Sequence, residues 1–219
     1  MKLHAMISLL SSFSARPLTR ALARGAAPLA SILALGLVAA CSGNGEASAP
    51  PPLEGAAIGG PFELIDSDGR TVRWDDFDGK YRMVYFGYAY CPDVCPYDVQ
   101  RMMQGYARFA ENEPELAAQV QPLFITVDPE RDTPEVVGEF TSAFSDELVG
   151  LTGTPEQVAD AASAFAVYYS KGDMSPGGGY LVDHSRAAYL MGRQGEPIAL
   201  LPVETGAAEV AADLEQWVS

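Results

Sequence analysis

The chain has 219 residues, of which 48% are hydrophobic, and its formal net charge at pH 7 is -15. This hydrophobic content is sufficient for one domain with a buried core. The negative charge repels phosphate backbones, so we expect no nucleic-acid partner and regard a cationic protein or a metal ion as a more natural ligand.

Residues 1–40 have the composition of an export signal. They contain no Asp or Glu, and they end in the apolar stretch APLASILALGLVAA, residues 27–40. This stretch is shorter than the roughly 20 residues that a membrane-spanning helix needs. We therefore predict a signal peptide that is removed from the mature protein.

A cysteine follows the apolar stretch directly. The segment LVAAC, residues 37–41, resembles the lipobox of bacterial lipoproteins, in which Cys41 would become the lipidated first residue. Ordinary cleavage near Ala40 and an uncleaved anchor are the alternatives. Residues 41–57 are rich in Ser, Gly, Ala and Pro, which is typical of a flexible tether. We expect a membrane-anchored lipoprotein of a bacterial cell envelope that faces the periplasm.

Residues 58–219 form the predicted domain. The segment PFELIDSDGRTVRWDDFDGK has two strand-like runs around the turn signal Asp68-Gly69, which indicates a hairpin. The run YRMVYFGY, residues 81–88, has the composition of a buried strand, and apolar residues recur at helical spacing after Pro96.

Strands and helices then alternate. VQPLFITVD, residues 120–128, and LVGLTG are predicted strands, and each is followed by a helix with a Thr-Pro start, at Thr133 and Thr154. The tail predicts a loop, a strand end at YLVDHS, a hairpin turning at Gly195 and a closing helix. We predict an α/β fold with a mixed central sheet, helices on both faces and an added N-terminal β-hairpin.

Two cysteines lie four positions apart in FGYAYCPDVCP, residues 86–96. Cys91 and Cys95 follow a strand and begin a helix, where the helix N-terminus favours the thiolate. In a helical first turn their Cα atoms would be about 6 Å apart, which suits a disulfide and also a shared metal ion. A structural disulfide, redox exchange and metal binding all remain open on spacing alone.

The third candidate ligand is His184, the only histidine after the predicted signal. A lone histidine is often only a packed or surface residue, but His184 would emerge beside the cysteines if its strand ran parallel to theirs. Two thiolates and one imidazole suit Cu(I). Structural zinc prefers four ligands and would have to use Asp93 or Asp183. Met174, in the Gly-rich loop, is a further candidate contact.

Three stretches in this order, FGYAYCPDVCP, ITVDPERDTPE and YLVDHS, resemble the Sco (SenC) family of copper-binding cytochrome oxidase assembly proteins over roughly residues 58–217. The resemblance implies a thioredoxin-like fold and copper, as Cu(I) with Cu(II) as a second state, held by Cys91, Cys95 and His184. It also implies partners: a copper donor protein and the subunit that carries the dinuclear copper site of cytochrome c oxidase. Asp93 and Asp128 match acidic positions of the family, where they would either cap and turn the chain or tune the site.

Two functions fit these residues. The first is a copper chaperone that delivers the metal to an acceptor. The second is a thiol-disulfide oxidoreductase that reduces the acceptor's cysteines, with Cys91 and Cys95 as its redox pair. The usual redox signature is CxxC rather than CxxxC, and a peroxidase would need a threonine that YAYC lacks. The spacing and the histidine favour the chaperone, although one protein could perform both tasks.

Overall fold

The computed structural model describes residues 49–219. The predicted signal peptide, the lipobox cysteine Cys41 and the tether up to residue 48 lie outside the described residues. Within residues 49–219, no helix combines the length and the apolar character that crossing a bilayer requires.

A mixed sheet of seven strands forms the centre of the fold, and a separate pair of strands lies beside it. The strands are β1 (Glu63–Asp66), β2 (Thr71–Arg73), β3 (Tyr81–Gly87), β4 (Val120–Thr126), β5 (Val149–Thr152), β6 (Tyr169–Lys171), β7 (Val182–His184), β8 (Ala188–Met191) and β9 (Pro197–Leu201). The helices are α1 (Val94–Asn112), α2 (Pro114–Ala117), α3 (Pro134–Ser142), α4 (Pro155–Ala164) and α5 (Ala207–Trp217), with a 3-10 turn at Trp74–Phe77.

The order in the main sheet is β2-β1-β5-β4-β3-β8-β9. Strands β3, β4 and β5 are parallel, whereas β1, β8 and β9 pair antiparallel with their neighbours. Strands β1 and β2 form the predicted N-terminal hairpin, with Gly69 at a positive φ in its turn. The predicted mixed sheet and added hairpin are confirmed.

Helices cover both faces of the sheet, as two adjacent residues of β3 show. Tyr85 stacks on Phe124 of β4, and Phe124 in turn contacts Phe140 of α3. The next residue, Phe86, points to the opposite face and contacts Phe165 at the end of α4. Because side chains alternate along a strand, α3 and α4 lie on opposite faces.

The two Thr-Pro helix starts form as predicted. The Thr133 side chain accepts the backbone N–H of Val136, and the Thr154 side chain accepts that of Gln157. Gln157 bonds back to the Thr154 backbone N–H, which completes a capping box. These caps fix where the helices begin relative to strands β4 and β5.

The strand that carries His184 differs from the expectation. It is not a parallel strand of the main sheet, because β7 pairs antiparallel with β6, with Tyr169 opposite His184. The Gly-rich segment between them allows the chain to reverse, with Gly178 at a positive φ. A strand parallel to that of the cysteines is therefore not what brings His184 to their side of the molecule.

The start of α1 also differs from the expectation. The helix begins at Val94, and the N-cap residue Asp93 has φ -136 and ψ -96, outside the helical region. Cys95 is therefore in the first turn, whereas Cys91 lies in the loop before it. The two cysteines do not share a helical turn.

The described part of the predicted tether touches the domain. The backbone N–H of Leu53 donates to the carbonyl of Ile198 in β9, and Leu53 packs against the core. The boundary at residue 58 stays a prediction.

Candidate metal centre

Three segments bring Cys91, Cys95 and His184 together. Their ligand atoms all lie within 4.8 Å of one another. Cys91 lies in the loop after β3, Cys95 in the first turn of α1, and His184 at the end of β7. The site therefore lies beyond the carboxyl end of β3, where open α/β sheets place functional groups.

Cys95 is the buried member of the group, with 0% of its surface exposed. Its Sγ lies 3.1 Å from Nε2 of His184. A methyl group at Gly87, the last residue of β3, would lie 2.9 Å from the Tyr85 ring and 3.2 Å from this Sγ. Glycine at the strand end thus leaves the room in which Cys95 packs.

The imidazole of His184 presents Nε2 to the cysteines. Its Nδ1 lies 2.9 Å from the backbone carbonyl of Ser185. Because a carbonyl only accepts hydrogen bonds, Nδ1 carries a proton and donates it there, which leaves Nε2 as the ring nitrogen that faces Cys95. Metal-binding histidines are usually oriented in this way, by donating the other ring N–H to a carbonyl or carboxylate.

The two thiols have opposite tendencies. The pKa of Cys91 is lowered to about 3, mainly by a hydrogen bond from the Cys95 thiol. Contacts with His184 and with the Cys95 backbone N–H, which lies 3.4 Å from the Cys91 sulfur, lower this pKa further, whereas burial raises it. The pKa of Cys95 is raised, because its thiol donates that bond and is buried. Without metal, the pair therefore holds a thiolate at Cys91 and a proton on Cys95.

The group contains three ligands and not four. Asp93 and Asp183 are exposed, and neither belongs to the cluster found among residues 49–219. Two sulfurs and one imidazole fit a three-coordinate soft ion such as Cu(I). They do not complete the four-ligand set of structural zinc. Met174 is 62% exposed, and its role as an extra contact stays a prediction.

The two acidic residues predicted to tune the site have different positions. Asp93 occupies the N-cap position of α1, but its side chain makes no capping hydrogen bond. Asp128 is buried and holds the Arg131 guanidinium and the Tyr180 hydroxyl. Tyr180 belongs to the segment before β7, so Asp128 contacts the strand of His184 only indirectly. A tuning role for either residue stays a prediction.

Three charged residues near the site were not predicted from the sequence: Asp98, Asp132 and Arg186. Asp132 is buried, and its carboxylate accepts the backbone N–H of Ala89 at 2.8 Å, two residues before Cys91. Asp98 is also fully buried and pairs with Arg186. Asp98 falls between Cys95 and Val99 on the buried side of α1. A carboxylate among apolar helix positions could have indicated a buried ion pair from the sequence alone.

A groove of about 630 Å³ adjoins the site. Two exposed apolar side chains line it, Tyr90 at 55% exposure and Leu181 at 58%. Leu181 also lines the smaller cavity that contains Cys91 and His184. The metal centre is therefore bordered by apolar surface that faces solvent.

Fold and site together define a class, a thioredoxin-like domain with a Cys2His group that could hold a metal ion at one end of its sheet. The sequence model of the SCO1/SenC family matches residues 50–219. The chain belongs to the SCO1/SenC family.

Individual relatives agree with this assignment. The chain is 46% identical to Protein SenC of Rhodobacter capsulatus over 157 residues, which cover 70% of this chain and 64% of that protein. It is 44% identical to the mitochondrial Protein SCO2 homolog of Bos taurus over 144 residues, 65% of this chain and 53% of the relative. The copper-bound structure of Bradyrhizobium japonicum ScoI superposes with a TM-score of 0.67 at 36% identity, covering 74% of this chain and all of that one. The chain spans about half the length of the curated relatives that it matches.

The unequal thiols predict selective alkylation. At pH 6 without metal, we expect limiting iodoacetamide to modify Cys91 before Cys95, because Cys91 is half-exposed and its lowered pKa makes it a thiolate. Peptide mass spectrometry measures the order. In Cys91→Ser, Cys95 should stay slow because it is buried; equal labelling of both thiols in the unsubstituted chain would contradict the assignment.

Proposed function

We propose that the protein is a copper chaperone that binds Cu(I), with Cu(II) as a second state, through Cys91, Cys95 and His184. The observation that carries the proposal is the convergence of these three ligand atoms within 4.8 Å. A thiolate at Cys91 and a free Nε2 on His184 are ready to accept the metal. Cys95 must release its proton on binding, so copper uptake should release protons and strengthen as the pH rises.

Copper is the metal that the relatives support best. The ScoI structures from Bradyrhizobium japonicum and Arabidopsis thaliana contain bound copper, and both are 36% identical to this chain. The three-ligand set of this chain matches the preference of Cu(I) for soft and imidazole donors.

The acceptor that we propose is the subunit carrying the dinuclear copper site of cytochrome c oxidase, and a second protein would donate the copper. Family membership supports a copper acceptor in general. The apolar border of the site, with Tyr90 and Leu181, would contact the acceptor while the metal exchanges ligands. We further propose that Cys41 is lipidated and anchors the domain to a membrane on the periplasmic side, on the basis of the lipobox-like segment.

Thiol-disulfide exchange is the alternative function of the same pair. The lowered pKa of Cys91 suits an attacking thiol, and Cys95 could resolve a mixed disulfide. In that function His184, with Nε2 3.1 Å from the buried sulfur, would only tune the thiol, whereas copper binding uses all three side chains as ligands. The chaperone accounts for all three residues and is therefore favoured.

Copper binding is tested by anaerobic titration of the reduced protein with Cu(I) against a competing chelator. We expect one Cu(I) per chain. His184→Ala should weaken binding by more than about 100-fold, since even residues that only orient a ligand are typically worth about 10- to 100-fold in metal affinity.

The control is Asp146→Asn, which changes an exposed side chain just before β5, at the end of the parallel strands opposite the three ligands. It should bind Cu(I) as the unsubstituted chain does. A protein that holds no copper against the chelator, or equal affinity in His184→Ala, would overturn the copper site and leave thiol-disulfide exchange as the better account.

If the acceptor docks on this groove, substitutions there should affect copper transfer without affecting copper binding. Leu181→Ser combined with Tyr90→Ser should slow copper transfer to the acceptor domain about tenfold at low acceptor concentration, because a combined loss of about 1.4 kcal/mol of docking energy lowers the affinity tenfold. Affinity for Cu(I) should not change, since neither side chain is among the hydrogen-bond partners of the three ligand residues within residues 49–219. Stopped-flow transfer kinetics measure the rate.

Leu200→Ser is the control for this surface. Leu200 is 50% exposed, as the two groove residues are, but it lies on the edge strand β9. Its substitution should leave transfer unchanged. If Leu200→Ser slows transfer as much as the groove variant does, the groove is not the docking surface.

A further inference from the structure

The segment that carries His184 is attached to α1 at two points. One is the contact between Cys95 and His184 themselves. The other is an ion pair between Asp98, three residues after Cys95, and Arg186, two residues after His184. Among the hydrogen bonds and ion pairs of residues 49–219, these are the side-chain contacts that join α1 to residues 184–186.

The ion pair has a fixed geometry. Arg186 Nη2 donates to Asp98 Oδ1 at 2.8 Å, and Nε donates to Oδ2 at 3.0 Å. The Tyr85 hydroxyl adds a third donor to Oδ2 at 3.1 Å. A bidentate arginine-carboxylate pair restrains both distance and orientation, which a single hydrogen bond does not do.

Burial makes this pair stronger than an ordinary surface ion pair. The Asp98 side chain is 0% exposed, whereas that of Arg186 is 39% exposed. A buried carboxylate without its partner is strongly unfavourable, so the arginine is held where the carboxylate lies. Asp98 itself is fixed on α1 by the helix and by Tyr85 of β3.

The rest of the segment contacts other elements. The backbone N–H of Ser185 donates to the Tyr168 carbonyl, and the Tyr168 N–H donates to Ser185 Oγ, so these bonds tie the segment to the residue before β6. They do not set its distance from α1. The Asp98-Arg186 pair is placed to set that distance.

We propose that Asp98 and Arg186 are positioning residues that hold His184 at ligand distance from the two cysteines. This inference rests on the proposed copper function and deepens it, because it names the pair on which the contribution of His184 to Cu(I) affinity depends. The residues touch no metal themselves and act only through His184.

The test is a double substitution, Asp98→Asn with Arg186→Met, in the purified protein. It removes both charges, so no unpaired charge is buried, and the asparagine keeps an acceptor for the Tyr85 hydroxyl. We expect Cu(I) affinity to fall about 10- to 100-fold, the range typical of residues that orient a metal ligand. Circular dichroism confirms the fold before titration.

The decisive comparison uses His184→Ala as background. If the pair acts through His184, the double substitution causes no further loss of Cu(I) affinity once the imidazole is gone. Losses that add in full, or unchanged affinity in the folded double variant, would overturn the proposal. Asp66→Asn with Arg70→Met is the control, because it removes a comparable pair of a buried carboxylate and an exposed arginine from the N-terminal hairpin. It should not change Cu(I) affinity.

A metal-free measurement separates this proposal from the copper function. The ring nitrogen signals of His184 in NMR should move toward those of a solvent-exposed histidine in the double variant and stay in place in the control. If the unsubstituted chain binds no copper, the proposed function fails, while these signals still decide whether the pair holds the imidazole.

A second variant tests the proposal if the double variant does not fold. Arg186→Lys keeps the buried carboxylate compensated but loses the two-point geometry. We expect a several-fold loss of Cu(I) affinity that again disappears in the His184→Ala background. Unchanged affinity in both Arg186→Lys and the double variant would contradict the proposal.

Discussion

The contact between Cys95 Sγ and His184 Nε2, at 3.1 Å, is the interaction on which the account depends. It joins two elements that are 89 residues apart in the chain. One ligand is rigid because it lies in the first turn of a long helix packed on the sheet. The other lies at the end of a short antiparallel ribbon outside the main sheet. A metal site built across this junction needs the ribbon to be held firmly against the helix.

The electrostatics of the site follow from the same junction. Buried Cys95 lies between Nε2 of His184 and the Cys91 sulfur, and it keeps its proton, which it donates to Cys91. Cys91 is closer to solvent, its sulfur accepts the Cys95 backbone N–H in the first turn of α1, and it carries the negative charge. In the proposed copper function, this division would offer incoming copper the more accessible thiolate of Cys91 first and the two other ligands, His184 and the deeper Cys95, afterwards.

Much of this arrangement could be predicted from residue patterns. The apolar run before Cys91 and the Thr-Pro starts gave the alternation of strands and helices, and the lone His184 completed a plausible ligand set. The pairing of β7 with β6 could not be predicted, since a three-residue strand has no period strong enough to show its partner. Asp98 and Arg186 could not be paired either, because their contact spans 88 residues and depends on how the ribbon packs against α1.

X-ray absorption at the copper edge of the Cu(I)-loaded protein tests most directly whether Cys91, Cys95 and His184 bind the same copper ion. We expect a three-coordinate ion with two sulfur neighbours and one imidazole nitrogen, and loss of the nitrogen shell in His184→Ala. A two-coordinate ion with sulfur neighbours alone in the unsubstituted protein would contradict this expectation, since His184 would then be a neighbour of the thiols and not a ligand.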